Sequence, residues 1–134
     1  MISGIAHVNL LVPAGSLELA TRFYGDTLGL TPRRVPELQR GRLAWFDIGT
    51  SGQQVHIAFG TNDKSSRHPC FKIESPESLL ALRQRIWDHF KCADEAAPQE
   101  ADEPGKTDSG SQGIEYPSRF FARDYAGNRL EFSL

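Results

Sequence analysis

The chain has 134 residues, 39% of them hydrophobic and 24% charged, with a formal net charge of −2. That length suits one domain with a single core. The near-neutral balance and the scattered Lys and Arg exclude an electrostatic nucleic-acid surface, and no apolar run approaches the roughly 18–20 residues that carry a helix across a bilayer.

The opening Met1-Ile2-Ser3-Gly4-Ile5-Ala6-His7 lacks the charged start and apolar stretch of a signal peptide. The chain therefore reads as cytoplasmic, with Cys70 and Cys92 as free thiols in a reducing compartment. Cys70 lies in an apolar run and is expected to be a small buried residue.

The first predicted element is a strand over Ile5–Val12, stopped by Pro13, Ala14 and Gly15. Ser16 offers an N-cap to a helix that carries Leu17, Ala20, Phe23, Tyr24 and Leu28 on one face and closes near Gly29. Strands over Thr31–Pro36, Arg42–Ile48 and Gln54–Phe59 follow, separated by glycine turns. The pattern then restarts. His68–Glu74 reads as a strand, and Ser75-Pro76-Glu77 opens a helix whose face is Leu79, Leu82, Ile86 and Phe90. The 93–113 stretch is rich in Asp, Glu, Pro, Gly and Ser and reads as a flexible loop, since it cannot bury enough surface to offset chain entropy. Two strands, Arg119–Arg123 and Arg129–Leu134, close the chain.

The expected fold is thus α+β: one domain over 1–134 made of two βαβββ units, about 1–62 and 66–134. Together they would form a curved mixed sheet with an internal cavity. Side chains alternate across a strand. Val8, Leu10 and Val12 suit packing under a helix, which turns His7 and Asn9 to the opposite face. By the same alternation His56, His68 and Glu131 leave the apolar side of their strands. His7, His56, His68 and Glu131 are therefore the candidate metal ligands. Imidazoles with one carboxylate suit Zn²⁺, Fe²⁺, Mn²⁺, Ni²⁺ or Co²⁺ and leave positions open for water or substrate. Asn9, Trp45, Lys72, Phe121 and Arg123 are the candidate substrate-binding residues, with Arg119 and Arg129 adding positive charge. His89, beside Asp88, reads as a surface residue.

In these residues the chain resembles the vicinal oxygen chelate superfamily, which includes glyoxalase I, the fosfomycin-resistance transferases, extradiol dioxygenases and bleomycin-binding proteins. The stretches that carry the resemblance are Gly4–Val8, Phe23–Leu30, His68–Ile73 and Asp124–Phe132. The resemblance implies that His7, His68 and Glu131 hold a divalent metal, the set used in the fosfomycin-resistance branch. Glyoxalase I places a glutamate ligand in the strand that here reads Val55-His56-Ile57, so His56 is either a fourth ligand or a catalytic acid/base. The implied function is a metal-dependent enzyme that chelates vicinal oxygens of a small oxygenated metabolite, as an isomerase or lyase or with dioxygenase-like chemistry, the first two favoured. The alternative is a non-catalytic binding or resistance protein of the bleomycin-binding type. Relatives of this size commonly pair, so a homodimer is expected, and the sequence leaves open a site built within one chain or across two.

Overall fold

The chain divides into two compact units, Met1–Asn62 and Asp63–Leu134, in the computed structural model, which describes residues 1–134. The fold is α+β, with one four-stranded mixed sheet in each unit.

In the first unit, β1 (His7–Val12) leads to α1 (Leu17–Ala20), which continues as a π-helical turn over Thr21–Thr27. Strands β2 (Thr31–Arg33), β3 (Leu43–Asp47) and β4 (Gln54–Phe59) complete it. The sheet order is β1-β4-β3-β2, with β1 parallel to β4 and the other pairs antiparallel. The helix was expected to be regular through Gly29. Instead it widens, and Leu28 N–H donates to the Phe23 carbonyl five residues back at 2.9 Å. The wide turn lets the adjacent Phe23 and Tyr24 both enter the core, their rings edge-to-face at 5.0 Å. Val12, Phe46, Val55 and Ile57 fill the same core from the sheet. The opposite parity carries His7, Asn9, Trp45 and His56, as alternation requires.

The second unit repeats the arrangement. It comprises β5 (Cys70–Lys72), α2 (Pro76–Cys92), β6 (Glu100–Ala101), β7 (Arg119–Arg123) and β8 (Arg129–Ser133). The order is β5-β8-β7-β6, with β5 parallel to β8. Helix α2 starts where the sequence places it: the Ser75 hydroxyl accepts from the Ser78 N–H, with Pro76 in the first turn. Leu79, Ile86, Phe120, Leu130 and Phe132 form the core.

Three expectations change in this unit. Strand β5 is short, so His68 precedes it rather than lying within it, and Cys70 is exposed, not buried. The 93–113 stretch, expected to be a flexible loop, carries β6 and is tied down by polar contacts. Asp102 Oδ2 accepts from the N–H groups of Phe121 and Ser109, at 2.8 and 3.1 Å. Arg83 of α2 donates to the carbonyls of Asp102, Glu103 and Lys106. Apolar burial is small here, as the composition implies, but backbone and side-chain bonds replace it. No helix is long and apolar enough to cross a membrane.

Candidate metal and substrate site

Each sheet has one face packed against its helix and one face that gathers the polar residues singled out above. In the first unit the polar face holds a stack of three rings. The His56 imidazole lies 4.0 Å from that of His7, with planes 11° apart, and 4.5 Å from Trp45, at 9°. Strand register causes this, since Trp45 is directly opposite His56 on β3 and Asn9 is opposite it on β1.

A chain of hydrogen bonds orients the central ring. A carboxylate can only accept, so Gln54 Nε2 donates to Asp47 Oδ1 at 2.8 Å, and this fixes the amide. Gln54 Oε1 then faces His56 Nε2 at 2.8 Å and takes its proton-bearing side. The far oxygen of Asp47 pairs with Arg33 at 3.1 Å. Burial, and secondarily the adjacent His7, lower the His56 pKa below its ordinary value, which favours the neutral ring. His56 therefore presents Nδ1 as its free basic nitrogen.

Alternation makes His56 a candidate ligand, and the resemblance leaves it as ligand or acid/base; the ring stack bears on that choice. A metal bound to imidazole lies near the ring plane at about 2.0–2.1 Å from the nitrogen. Two nearly parallel rings 4.0 Å apart share no such point. His7, which is exposed and makes no side-chain hydrogen bond, keeps both nitrogens available. A concavity of about 360 Å³ in this unit is lined by residues including Leu17, Pro32, Leu43 and Trp45, and by neither histidine.

In the second unit His68 and Glu131 meet directly. His68 Nδ1 donates to the Ser66 carbonyl at 2.6 Å, and Nε2 lies 2.8 Å from Glu131 Oε2. The Ser66 contact commits the proton to Nδ1. Nε2 and the carboxylate oxygen then face each other across a gap that only a proton or a metal cation can join. Two donors about 2.1 Å from one ion and at right angles lie about 3 Å apart, so the pair fits a divalent metal. The other Glu131 oxygen accepts from Arg119 NH1 at 3.3 Å. Arg119 is nine-tenths buried, reaches Asp108 at 3.7 Å and lies over the Tyr116 ring at 4.0 Å. Such outer partners hold a ligand carboxylate in place. No group of three or more His, Cys, Asp or Glu side chains is assembled to hold a metal ion, and the second unit by itself supplies two donors.

The substrate candidates divide. Phe121 is buried opposite Glu131, edge-on to His68 at 5.6 Å, with the guanidinium groups of Arg129 and Arg119 at 4.4 and 5.1 Å from its centroid. Asn9 and Lys72 are exposed on the polar faces and make no side-chain hydrogen bond or ion pair. Trp45 belongs to the ring stack, with Nε1 enclosed and unpartnered. Arg123, by contrast, is occupied: it pairs with Glu100 at 3.0 Å and donates to the carbonyls of Ser65 and Gly127. These contacts clamp the turn before β8 to the start of the unit. Sequence reasoning missed Gln54 and Ser66. Gln54 was findable, because it shares the His56 face two residues earlier; Ser66 acts through a backbone carbonyl, which leaves no side-chain signal. Cys70 lies beside the site, where partial desolvation and then the Glu131 carboxylate push its thiol pKa up, away from a reactive thiolate.

Solved structures with the same fold span nearly the whole chain. A Bacillus anthracis protein assigned to the glyoxalase family is 29% identical with a TM-score of 0.70, over 98% of this chain and 94% of that one. The fosfomycin resistance protein FosX of Listeria monocytogenes is 18% identical with a TM-score of 0.72, over 99% and 91%. A FosX variant has been solved with Mn(II) and 1S,2S-dihydroxypropylphosphonic acid. Lactoylglutathione lyase from Agrobacterium tumefaciens is 19% identical with a TM-score of 0.65, over 98% and 93%. No protein-family model matches the chain, and no curated protein matches it.

Proposed function

The chain is a vicinal oxygen chelate superfamily protein in fold, and from that premise we propose that it is a divalent-metal-dependent enzyme acting on a small oxygenated metabolite. His68 and Glu131 are two ligands, and His7, from the same chain or a partner chain, is the third. The observation that carries this reading is the His68–Glu131 contact at 2.8 Å with the Nδ1 proton already committed to Ser66. When bound, the ion would supply Lewis-acid polarisation of two vicinal oxygens. The Mn(II) held by FosX makes manganese a natural first choice to test.

The chain's own residues supply the rest. Gln54 holds Nε2–H of His56, leaving Nδ1 to take a proton from a substrate carbon or hydroxyl. The rings of His7 and Trp45 on either side fix the plane of that base. Arg119 draws charge from the far oxygen of Glu131, and Phe121 excludes water beneath His68. A positioned neutral imidazole favours proton transfer, hence isomerase or lyase chemistry over oxygen activation.

A second reading is a binding protein for flat aromatic compounds, which the flat Trp45–His56–His7 stack favours. Metal-stripped and Mn(II)-loaded protein assayed for hydrogen exchange and elimination on α-hydroxy and α-keto compounds in D₂O separate the two. Exchange that appears only with metal and fails in His56→Phe supports the enzyme. Aromatic binding that is indifferent to metal, with no exchange, supports the binding protein.

A further inference from the structure

The two sheets are built alike, and one pair of equivalent positions differs in a way that points to a ligand. Gln54 and Arg129 are each the first residue of the strand that carries the key acid/base or ligand group two residues later, His56 or Glu131. Each faces the last residue of the neighbouring strand, Asp47 for Gln54 and Arg123 for Arg129. In the first unit that cross-strand pair is satisfied, since Gln54 donates to Asp47 at 2.8 Å. In the second unit two arginines stand directly opposite, an arrangement that like charges make unfavourable.

The arginines of this face are not alike. Arg123 is neutralised by Glu100, and Arg119 by Glu131 and Asp108. Arg129 makes no hydrogen bond and no ion pair. Its Nε is enclosed without a partner, and its guanidinium lies over Phe121 at 4.4 Å. The ring contact holds the fork in place, and a held fork suits an oxyanion that takes two parallel N–H bonds. The missing counter-charge and the enclosed, unpartnered Nε call for the same thing, an incoming anion.

We propose that Arg129, held over the Phe121 ring, docks the anionic end of the substrate. Arg129 and Glu131 share a strand face, two residues and so about 7 Å apart along β8. The substrate class is then a small organic acid with a carboxylate or phospho-group at one end and the chelating oxygens a few bonds away. This rests on the metal reading above and gives that site its substrate class.

The test titrates Mn(II)-loaded wild type and Arg129→Gln with malonate, phosphonoacetate and catechol. Catechol chelates through vicinal oxygens and has no separate anionic arm. Loss of a charged bidentate contact lowers affinity for malonate, phosphonoacetate or both by about tenfold or more in the variant, with catechol binding within about twofold. Whichever acid loses more identifies the carboxylate or the phospho-group as the natural end. Arg129→Lys, which keeps the charge but not the fork, gives an intermediate loss and serves if the glutamine variant does not fold. Equal losses for catechol and both acids, or no loss for either acid, overturn the proposal. So does a dimer that dissociates on Arg129→Gln, because the missing anion is then a partner carboxylate. The same titrations after EDTA treatment keep the two readings apart: Arg129-dependent acid binding without metal upholds the docking role, whereas failure of wild type to take up Mn(II) defeats the metal reading alone.

Discussion

His56 lies parallel to His7, ring on ring, with centroids 4.0 Å apart and planes inclined by 11°. Rings so placed do not share one ion, and in the proposed function His7 is the ligand and His56 the base. His56→Phe keeps a flat ring between His7 and Trp45 while removing both nitrogens. Its Mn(II) content, read by elemental analysis, is expected to equal that of wild type, while metal-dependent proton exchange falls by about a hundredfold or more. Metal lost together with the His56 nitrogens would show that the stack opens to let His56 ligate.

Arg119 connects Glu131 to the body of the second unit through Asp108, Tyr116 and Phe121. It is nine-tenths buried, so its removal strands two carboxylates in a poorly solvated place. Arg119→Ala is expected to lower stability by about 3 kcal/mol in urea unfolding. A change below about 1 kcal/mol would mean that the pair is as weak as an exposed one.

Asp124 is fully buried in the turn between β7 and β8. It accepts from the N–H groups of Ala126 and Asn128 and from the Asn128 amide, each at 2.9 Å. This turn sets the register that puts Phe121 opposite Glu131. Asp124→Ala leaves three donors without an acceptor and should cost about 3 kcal/mol. Thermal melting of the variant checks this, and an unchanged midpoint would contradict it.

Arg83 holds the 93–113 stretch against α2 through three backbone carbonyls. Arg83→Ala is expected to speed amide exchange across residues 102–110 by about tenfold and to open the Lys106 bond to trypsin. Unchanged exchange would mean that Asp102 and β6 suffice to hold the segment.

Much of this architecture is legible in the chain itself. Strand Gln54–Phe59 and the helix from Pro76 carry strong period signals, and alternation correctly separates Val55 and Ile57 from His56. What escapes has physical causes. The π-turn at Thr21–Thr27 serves tertiary packing of Phe23 beside Tyr24, and no local propensity announces it. The 93–113 stretch is held by Arg83 and Asp102, whose partners are backbone atoms invisible to composition. Arg123 and Arg129 look equivalent in sequence, and only the fold separates them, by pairing Arg123 with Glu100 of the two-residue β6 and with the Ser65 and Gly127 carbonyls. The place of His68 just ahead of β5 follows from the shortness of that strand, and its orientation from a carbonyl two residues earlier.

The proposed metal site stands on His68 and Glu131, which face each other at 2.8 Å. Elemental analysis of protein purified without added metal, compared with the His68→Ala/Glu131→Gln double variant, tests it most directly. Close to one divalent ion per chain is expected in wild type and almost none in the folded variant. Wild type that stays metal-free after incubation with Mn(II), Zn(II), Ni(II), Co(II) and anaerobic Fe(II), or a variant that retains its metal, would contradict it.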